Sequence, residues 1–235
     1  MDMLQNLKKD LKKNSNKSKA KALQRFFKTG KGEYGEGDVF LGITVPKQRK
    51  IAKKYLSLDI STLQSLLDSK IHEERLIALL ILTDNFKSSD EERKYQILDF
   101  YLHNTKNINN WDLVDLSAPH IVGPYFLDKP KDILYQMAES KLLWEKRISI
   151  ISTFSFIKNN QFQDSLKIAE ILLHDSHDLI HKAVGWMLRE IGKKDIKAEE
   201  NFLKKYYKEM PRTMLRYAIE KFPEKTRKAY LNGKI

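Results

Sequence analysis

Apolar residues along most of this chain return at intervals of three and four, as in RLIALLILTDNF (75–86), RISIISTFSFI (147–157) and HKAVGWMLREI (181–191). That spacing lines up one face of a 3.6-residue helix and gives it a stripe to bury. The period-two alternation of a half-buried strand is missing over most of the sequence, and proline and glycine are sparse, at 6 and 9 residues. Turn-forming clusters at 88–90, 159–161 and 175–177 fall at distances suited to short helices. The pattern predicts an all-α protein.

A longer period runs through the same helices. Arg75, Trp111, Arg147, Lys182 and Arg216 follow one another at 36, 36, 35 and 34 residues, each near the start of an apolar segment. Two helices in each such interval make the unit of an α-α superhelix, a solenoid of HEAT-like or armadillo-like repeats, although about 40 to 47 residues is the commoner length. Equivalent positions of successive repeats form rows along one surface. The row of Arg75, Trp111, Arg147, Lys182 and Arg216 predicts a concave basic groove. Four residues on stand Leu79, Asp115, Ile151, Trp186 and Glu220, so the second row is partly core-facing, and a Trp there serves packing as readily as chemistry. The expected organisation is one domain over 1–235, with N-terminal helices and a Gly-rich loop over 1–40 and the repeat array over 41–235.

Charge sharpens the choice of partner. Forty-three Lys and Arg against 31 Asp and Glu leave a formal charge of +12, which draws polyanions by screened attraction and counterion release. Nucleic acid is the expected partner; a soluble Lys-rich protein without one is the plain alternative. The absence of cysteine removes disulfide scaffolds, thiolate metal sites and thiol nucleophiles together, and fits a reducing compartment. The N-terminal MDMLQNLKKDLKK carries no apolar leader core, and the longest purely apolar stretch, 76–82, is far too short to span a bilayer. These features predict a soluble cytoplasmic protein, bound to the nucleoid when on DNA.

Three local patterns resemble sites without the context those sites need. GKGEYGEGD contains Gly30, Gly32 and Gly35 in dinucleotide-motif spacing. The preceding LQRFFK reads as helix where a strand is required, and Glu33 and Glu36 would repel phosphate, so a flexible loop is expected. His174, His177 and His181 lack carboxylate or thiolate company at ligand spacing. There Asp175 or Ser176 is expected to cap a helix while the histidines face solvent. Asp112 and Asp115 supply only half of a metal-dependent nuclease site. No metal and no nucleotide cofactor is expected.

The segment WDLVD carries the most distinctive chemistry. Trp111 and Asp115 stand one helical turn apart and share a face, an aromatic ring and a carboxylate offered together to a cationic reacting group. Asn110 is a natural N-cap, and Asp112 suits the helix start. Asp115 lies a turn further in, where an unpaired charge is costly, so it is either a structural ion pair, with Arg147 as the natural partner, or a site carboxylate.

At these residues the chain resembles the AlkD-type DNA alkylation repair family, the HEAT-like-repeat DNA glycosylases of prokaryotes. The resemblance is carried by FLGITVPKQRK (40–50), NWDLVDLSAP (110–119), LWEKRISI (143–150) and HKAVGWMLREIGK (181–193), in family order over nearly the whole chain. It implies hydrolysis of the N-glycosidic bond of cationic N3- and N7-alkylated purines, such as 3-methyladenine and 7-methylguanine, in duplex DNA. It implies too that the lesion is not extruded and that no cofactor is used. By the same resemblance Asp115 is the catalytic carboxylate, Trp111 and Trp186 are cleft tryptophans and Arg147 is the cleft arginine. Arg189 matches a backbone-contacting position, while Lys182, Arg75 and Arg216 join the DNA-binding set through the basic row. A monomer acting on double-stranded DNA is expected.

The chain departs from the family pattern in its GKGEYGEGD insertion and in Phe26 and Phe27, which stand where a cleft tyrosine is expected. Two other classes share the same charge and fold: a non-catalytic module for distorted or branched DNA, and a protein-binding helical scaffold. Retention of Asp115 separates the first reading from both.

Overall fold

The computed structural model describes residues 3–235, and among them regular structure is helical apart from a single parallel bridge between Val39 and Ile71. The chain divides into two compact units, Met1–Ser117 and Ala118–Ile235. Among the described residues no helix is long and apolar enough to cross a membrane.

In the first unit the helices are α1 (Met3–Lys13), α2 (Lys17–Phe26), α3 (Val45–Ala52), α4 (Ile60–Leu67), α5 (His72–Ser88), α6 (Glu91–His103) and α7 (Trp111–Asp115). Short polar side chains fix several starts: Asn16, Asp59 and Asp90 each accept the backbone N–H three residues on. Helix α5 is the centre. Its run Leu76–Leu82 is at most 2% exposed at every residue, because α3 and α4 pack on it and its sequence is apolar on all sides there. Glu73, fully buried near the start of α5, accepts the backbone N–H groups of Leu41, Gly42 and Ile43 at 2.9, 2.8 and 3.2 Å. Gly42 permits this turn: its φ is +83°, and a Cβ there would lie 2.2 Å from the Asn16 carbonyl oxygen.

The second unit opens with a 3₁₀ turn at Ala118–His120. It continues through α8 (Val122–Phe126), α9 (Asp132–Ala138), α10 (Leu143–Ser152), α11 (Phe154–Lys158), α12 (Gln163–Ile171), α13 (Asp178–Gly192), α14 (Ile196–Tyr206), α15 (Arg212–Ala218) and α16 (Glu224–Leu231), with a second 3₁₀ turn at Ile219–Lys221. Helix α13 is its centre, packed by α10, α12, α14 and α15. It approaches α15 closely at Gly185, where an added Cβ would stand 2.4 Å from the Met214 carbonyl oxygen.

The five periodic positions fall in α5, α7, α10, α13 and α15, all within the first five residues of their helices. The Gly-rich stretch expected as a flexible loop is a run of tight turns. Glu33 and Glu36 accept the N–H groups of Gly30 and Gly32 at 2.8 Å each, and Gly35 N–H bonds the Lys28 carbonyl. Carboxylates unsuited to phosphate binding here take up backbone donors.

One buried acid makes the second unit pH-sensitive. Glu199 is 1% exposed on α14, and burial, with Glu200 adding repulsion against a weaker pull from Arg189, pushes its carboxyl up to about 8. A carboxyl raised in the folded state stabilises fully below its unfolded value near 4.5 and loses that contribution as pH rises through about 8. Glu199→Gln, which cannot ionise, is therefore expected to flatten the stability profile between pH 5 and 8 and to unfold at higher urea than wild type at pH 8. Equal urea midpoints for the two proteins at pH 8 would refute the assignment.

Candidate active site and DNA-contacting residues

Helix α7 is a single turn, too short to hold itself, and its neighbours fix it. Asn110, fully buried, caps it as expected: its Oδ1 accepts Trp111 N–H at 2.8 Å and its carbonyl accepts Val114 N–H at 3.1 Å. Trp111 stacks on Phe27 at 5.1 Å between centroids, Phe27 stacks on Phe40 at 5.1 Å, and Phe40 stacks on the His72 ring at 4.4 Å. Phe26 meets Trp111 edge-on at 5.9 Å and is 63% exposed. The indole is thus held against a column of rings, which sets its plane.

A chain of charges runs beneath that column. The His72 ring, 2% exposed, meets Asp112 Oδ2 with Nε2 at 2.9 Å and Asp38 Oδ2 with Nδ1 at 3.3 Å, and Arg75 pairs with the same Asp38 oxygen at 2.7 Å. Burial alone would lower the imidazolium's pKa, but Asp112 and Asp38 outweigh it and hold His72 at about 9. It is charged at neutral pH. Asp38 is in turn kept below the ordinary carboxylate range, since its bonds to His72 and the Arg75 charge overcome burial. Asp112, read from sequence as support for the helix start, is the residue through which α7 is tied to α5.

Asp115 closes α7 and is half-buried, on the same helix face as Trp111. Below it the Tyr101 hydroxyl, fully buried and bonded to Ser117 Oγ at 2.9 Å, is held neutral by burial, and the Asp115 charge reinforces this. The two acids of WDLVD therefore differ in setting. Asp112 is committed to His72, whereas Asp115 lies at the helix end on the ring's side.

In the second unit Arg147 is 5% exposed and donates from Nη1 to the Leu179 carbonyl at 2.6 Å, joining α10 to the first turn of α13. Lys182 pairs with Asp178 one turn back at 2.6 Å. Trp186, a further turn along, is half-buried, with its indole N–H on Glu190 at 3.1 Å and its ring tilted on Phe154 at 5.9 Å. Arg189 is paired with Glu220, and Arg216 is exposed on α15. Asp115 and Trp111 thus belong to the first unit, and Arg147, Lys182, Trp186, Arg189 and Arg216 to the second.

One expectation needs correction, and one residue is placed otherwise than the periodic row suggests. Arg75, assigned to DNA contact by that row, is 3% exposed, with its guanidinium on Asp38 and on the Ser69 carbonyl at 2.7 Å, where it holds the Gly-rich turn to α5. The cap of α13 is neither Asp175 nor Ser176. It is His177, whose Nδ1 accepts Leu179 N–H at 3.1 Å, while Asp175 accepts His177 N–H at 2.8 Å. Sequence reasoning also missed His72, Asp38 and the ring column: the two carboxylates of His72 lie 34 and 40 residues away, and no local spacing marks them or the rings. The signal available was Phe26-Phe27 itself, two adjacent aromatics of which one has to be buried.

The fold defined by these helices is shared with a solved structure from Enterococcus faecalis described as a predicted DNA alkylation repair enzyme. The likeness has a TM-score of 0.70 at 16% identity and covers 90% of this chain and 98% of that one. The model of the family described as "DNA alkylation repair enzyme" matches residues 7–222, and the chain belongs to that family. None of the curated proteins compared with it is similar enough to count as a match. Its role is in the repair of alkylated DNA.

Proposed function

We propose that the protein is a monofunctional DNA glycosylase that hydrolyses the N-glycosidic bond of N3- and N7-alkylated purines in duplex DNA without extruding the lesion. The observation that carries this reading is the placement of Asp115 and Trp111 on one face of a helical turn whose orientation is fixed by its cap, its ring column and the Asp112–His72 pair. An alkylated purine already bears positive charge, so it leaves as a neutral base and needs no general acid. The enzyme's task is then to stabilise the deoxyribosyl cation and deliver water. The Asp115 carboxylate stabilises positive charge at C1′ and takes the proton of the attacking water, whose oxygen bonds C1′ as the base departs with the glycosidic electron pair. Trp111 packs on the sugar and favours the cation by about 0.5–2 kcal/mol.

On this reading Trp186 is the second aromatic surface for the sugar-phosphate chain, Arg147 offers phosphate the edge of its guanidinium left over from the Leu179 carbonyl, and Lys182, Arg189 and Arg216 add charge along the duplex. The partner is double-stranded DNA carrying alkylated purines, and the acting species is the monomer in the cytoplasm. Incubating the protein with a duplex containing 7-methylguanine is expected to release the base and leave alkali-labile abasic sites. Salt-sensitive binding to that duplex and to branched DNA, with no base released, would replace this reading by that of a non-catalytic DNA-binding protein.

A further inference from the structure

Helix α2 lies in a stretch of unopposed positive charge. Between Asp10 and Glu33 the sequence holds eight Lys and Arg and no acid. Lys17, Lys21 and Arg25 follow one another at intervals of four, so they line one side of α2, and all three are exposed. Lys19 within the helix and Lys28 just past its end are exposed too. Ala20 and Leu23 are half-buried and Phe27 is buried, which marks the side by which the helix packs.

The neighbouring acids do not neutralise this row. Asp10 pairs with Lys54 at 3.0 Å, Glu33 and Glu36 accept the N–H groups of Gly30 and Gly32, and among the described residues no carboxylate pairs with Lys17, Lys21 or Arg25. Like charges one turn apart repel, so the row weakens its own helix unless an anion lies along it. Its length suits an extended anion. Eight residues of helix rise about 12 Å, over which one strand of a duplex presents about three or four phosphates. The row also ends at the α7 turn: Phe26, the last residue of α2 and 63% exposed, meets Trp111 edge-on at 5.9 Å. Arg75, the cation that the periodic row places in this unit, is buried on Asp38, and α2 supplies exposed charge in its stead.

We propose that the exposed side of α2 is a phosphate-binding surface for one strand of duplex DNA, with Lys17, Lys21 and Arg25 each on a phosphate and Phe26 leading that strand to Trp111. This surface rests on the glycosylase reading for its partner and not for its chemistry. An anionic lipid surface would share the charge, but a helix that lies on a membrane buries a broad apolar band beside its cations. Here Leu23 and Phe27 turn toward the protein, and Phe26 is the large apolar side chain left outside.

Fluorescence polarisation of a short unmodified duplex, titrated with the full chain over a series of salt concentrations, tests this. The triple variant Lys17→Gln, Lys21→Gln, Arg25→Gln is expected to flatten the dependence of log affinity on log salt by about 2–3, and each single change by about 0.9. At physiological salt the triple variant should bind at least about tenfold more weakly. A control triple with the same loss of charge, Lys167→Gln, Lys197→Gln, Lys204→Gln on α12 and α14, should flatten it by less than about 1. Lys17→Arg with Lys21→Arg should bind as wild type does, and unchanged helical circular dichroism shows that each variant is folded. Three results would overturn the proposal: wild-type salt dependence in the α2 variants, an equal loss in both triples, or loss of binding to phosphatidylserine–phosphatidylcholine vesicles with duplex binding unchanged. The duplex carries no lesion, so a protein that releases no 7-methylguanine still reveals this surface, and a glycosylase unaffected by the α2 changes keeps its chemistry and loses only the surface.

Discussion

Asp115→Asn is expected to slow release of 7-methylguanine from duplex DNA by at least about a hundredfold, while changing duplex affinity by less than about threefold. The asymmetry follows from where charge develops. In the ground state the cation is delocalised over the alkylated purine, and duplex binding is governed by phosphate contacts that the substitution does not touch. At the transition state positive charge has moved onto C1′ and its ring oxygen, and a neutral amide offers only a dipole where the carboxylate offered a full charge. Only an interaction stronger in the transition state than in the ground state raises the rate. Single-turnover kinetics on a 7-methylguanine duplex, beside filter binding at fixed salt, separates the two quantities. Wild-type rates for both Asp115→Asn and Asp115→Ala would mean that the carboxylate does no chemistry. Asp112→Asn, by contrast, should act on stability, since Asp112 faces His72.

The difference between these two acids shows what was legible in the sequence. Helical periodicity, the spacing of 34 to 36 residues and Trp111 with Asp115 one turn apart depend on short-range pattern, which local geometry reads out directly. Asn110 as cap belongs with them. The placement of Arg75 did not follow the periodic row, because a cation at the start of an apolar helix has two outlets, solvent or a buried carboxylate, and the choice rests on Asp38, 37 residues upstream at the end of the Gly-rich turns. His177 as the cap of α13 was hidden by Asp175 and Ser176, better cap formers in general, since Asp175 is used to bind His177 N–H. His72 gave no sign at all: a lone histidine opening an apolar helix is ordinary, and its two carboxylates come from distant segments.

Removing that histidine is the second large effect. His72→Phe keeps a ring for the stack on Phe40 but leaves Asp112 buried without its cation, and breaking a buried pair from one side costs about 3–5 kcal/mol. For a chain of this size that is a loss of roughly 10 °C in melting temperature. The pH dependence gives a sharper signature. His72 is held at about 9 against an ordinary 6.5, so its contribution is complete below pH 6.5 and disappears as pH rises through 9. Glu199 and the buried tyrosines titrate alike in both proteins, so over the interval from pH 8 to 10 the difference between wild type and variant isolates His72. Wild type should lose stability across that interval, and His72→Phe, less stable at pH 7, should lose much less. Urea unfolding at pH 7, 8, 9 and 10 for both proteins makes the comparison. Parallel profiles would show that His72 does not hold its proton between Asp38 and Asp112. Since Trp111 is fixed through Phe27 and Phe40 to the same ring, the variant should also loosen the indole, seen as raised tryptophan quenching by acrylamide at pH 7.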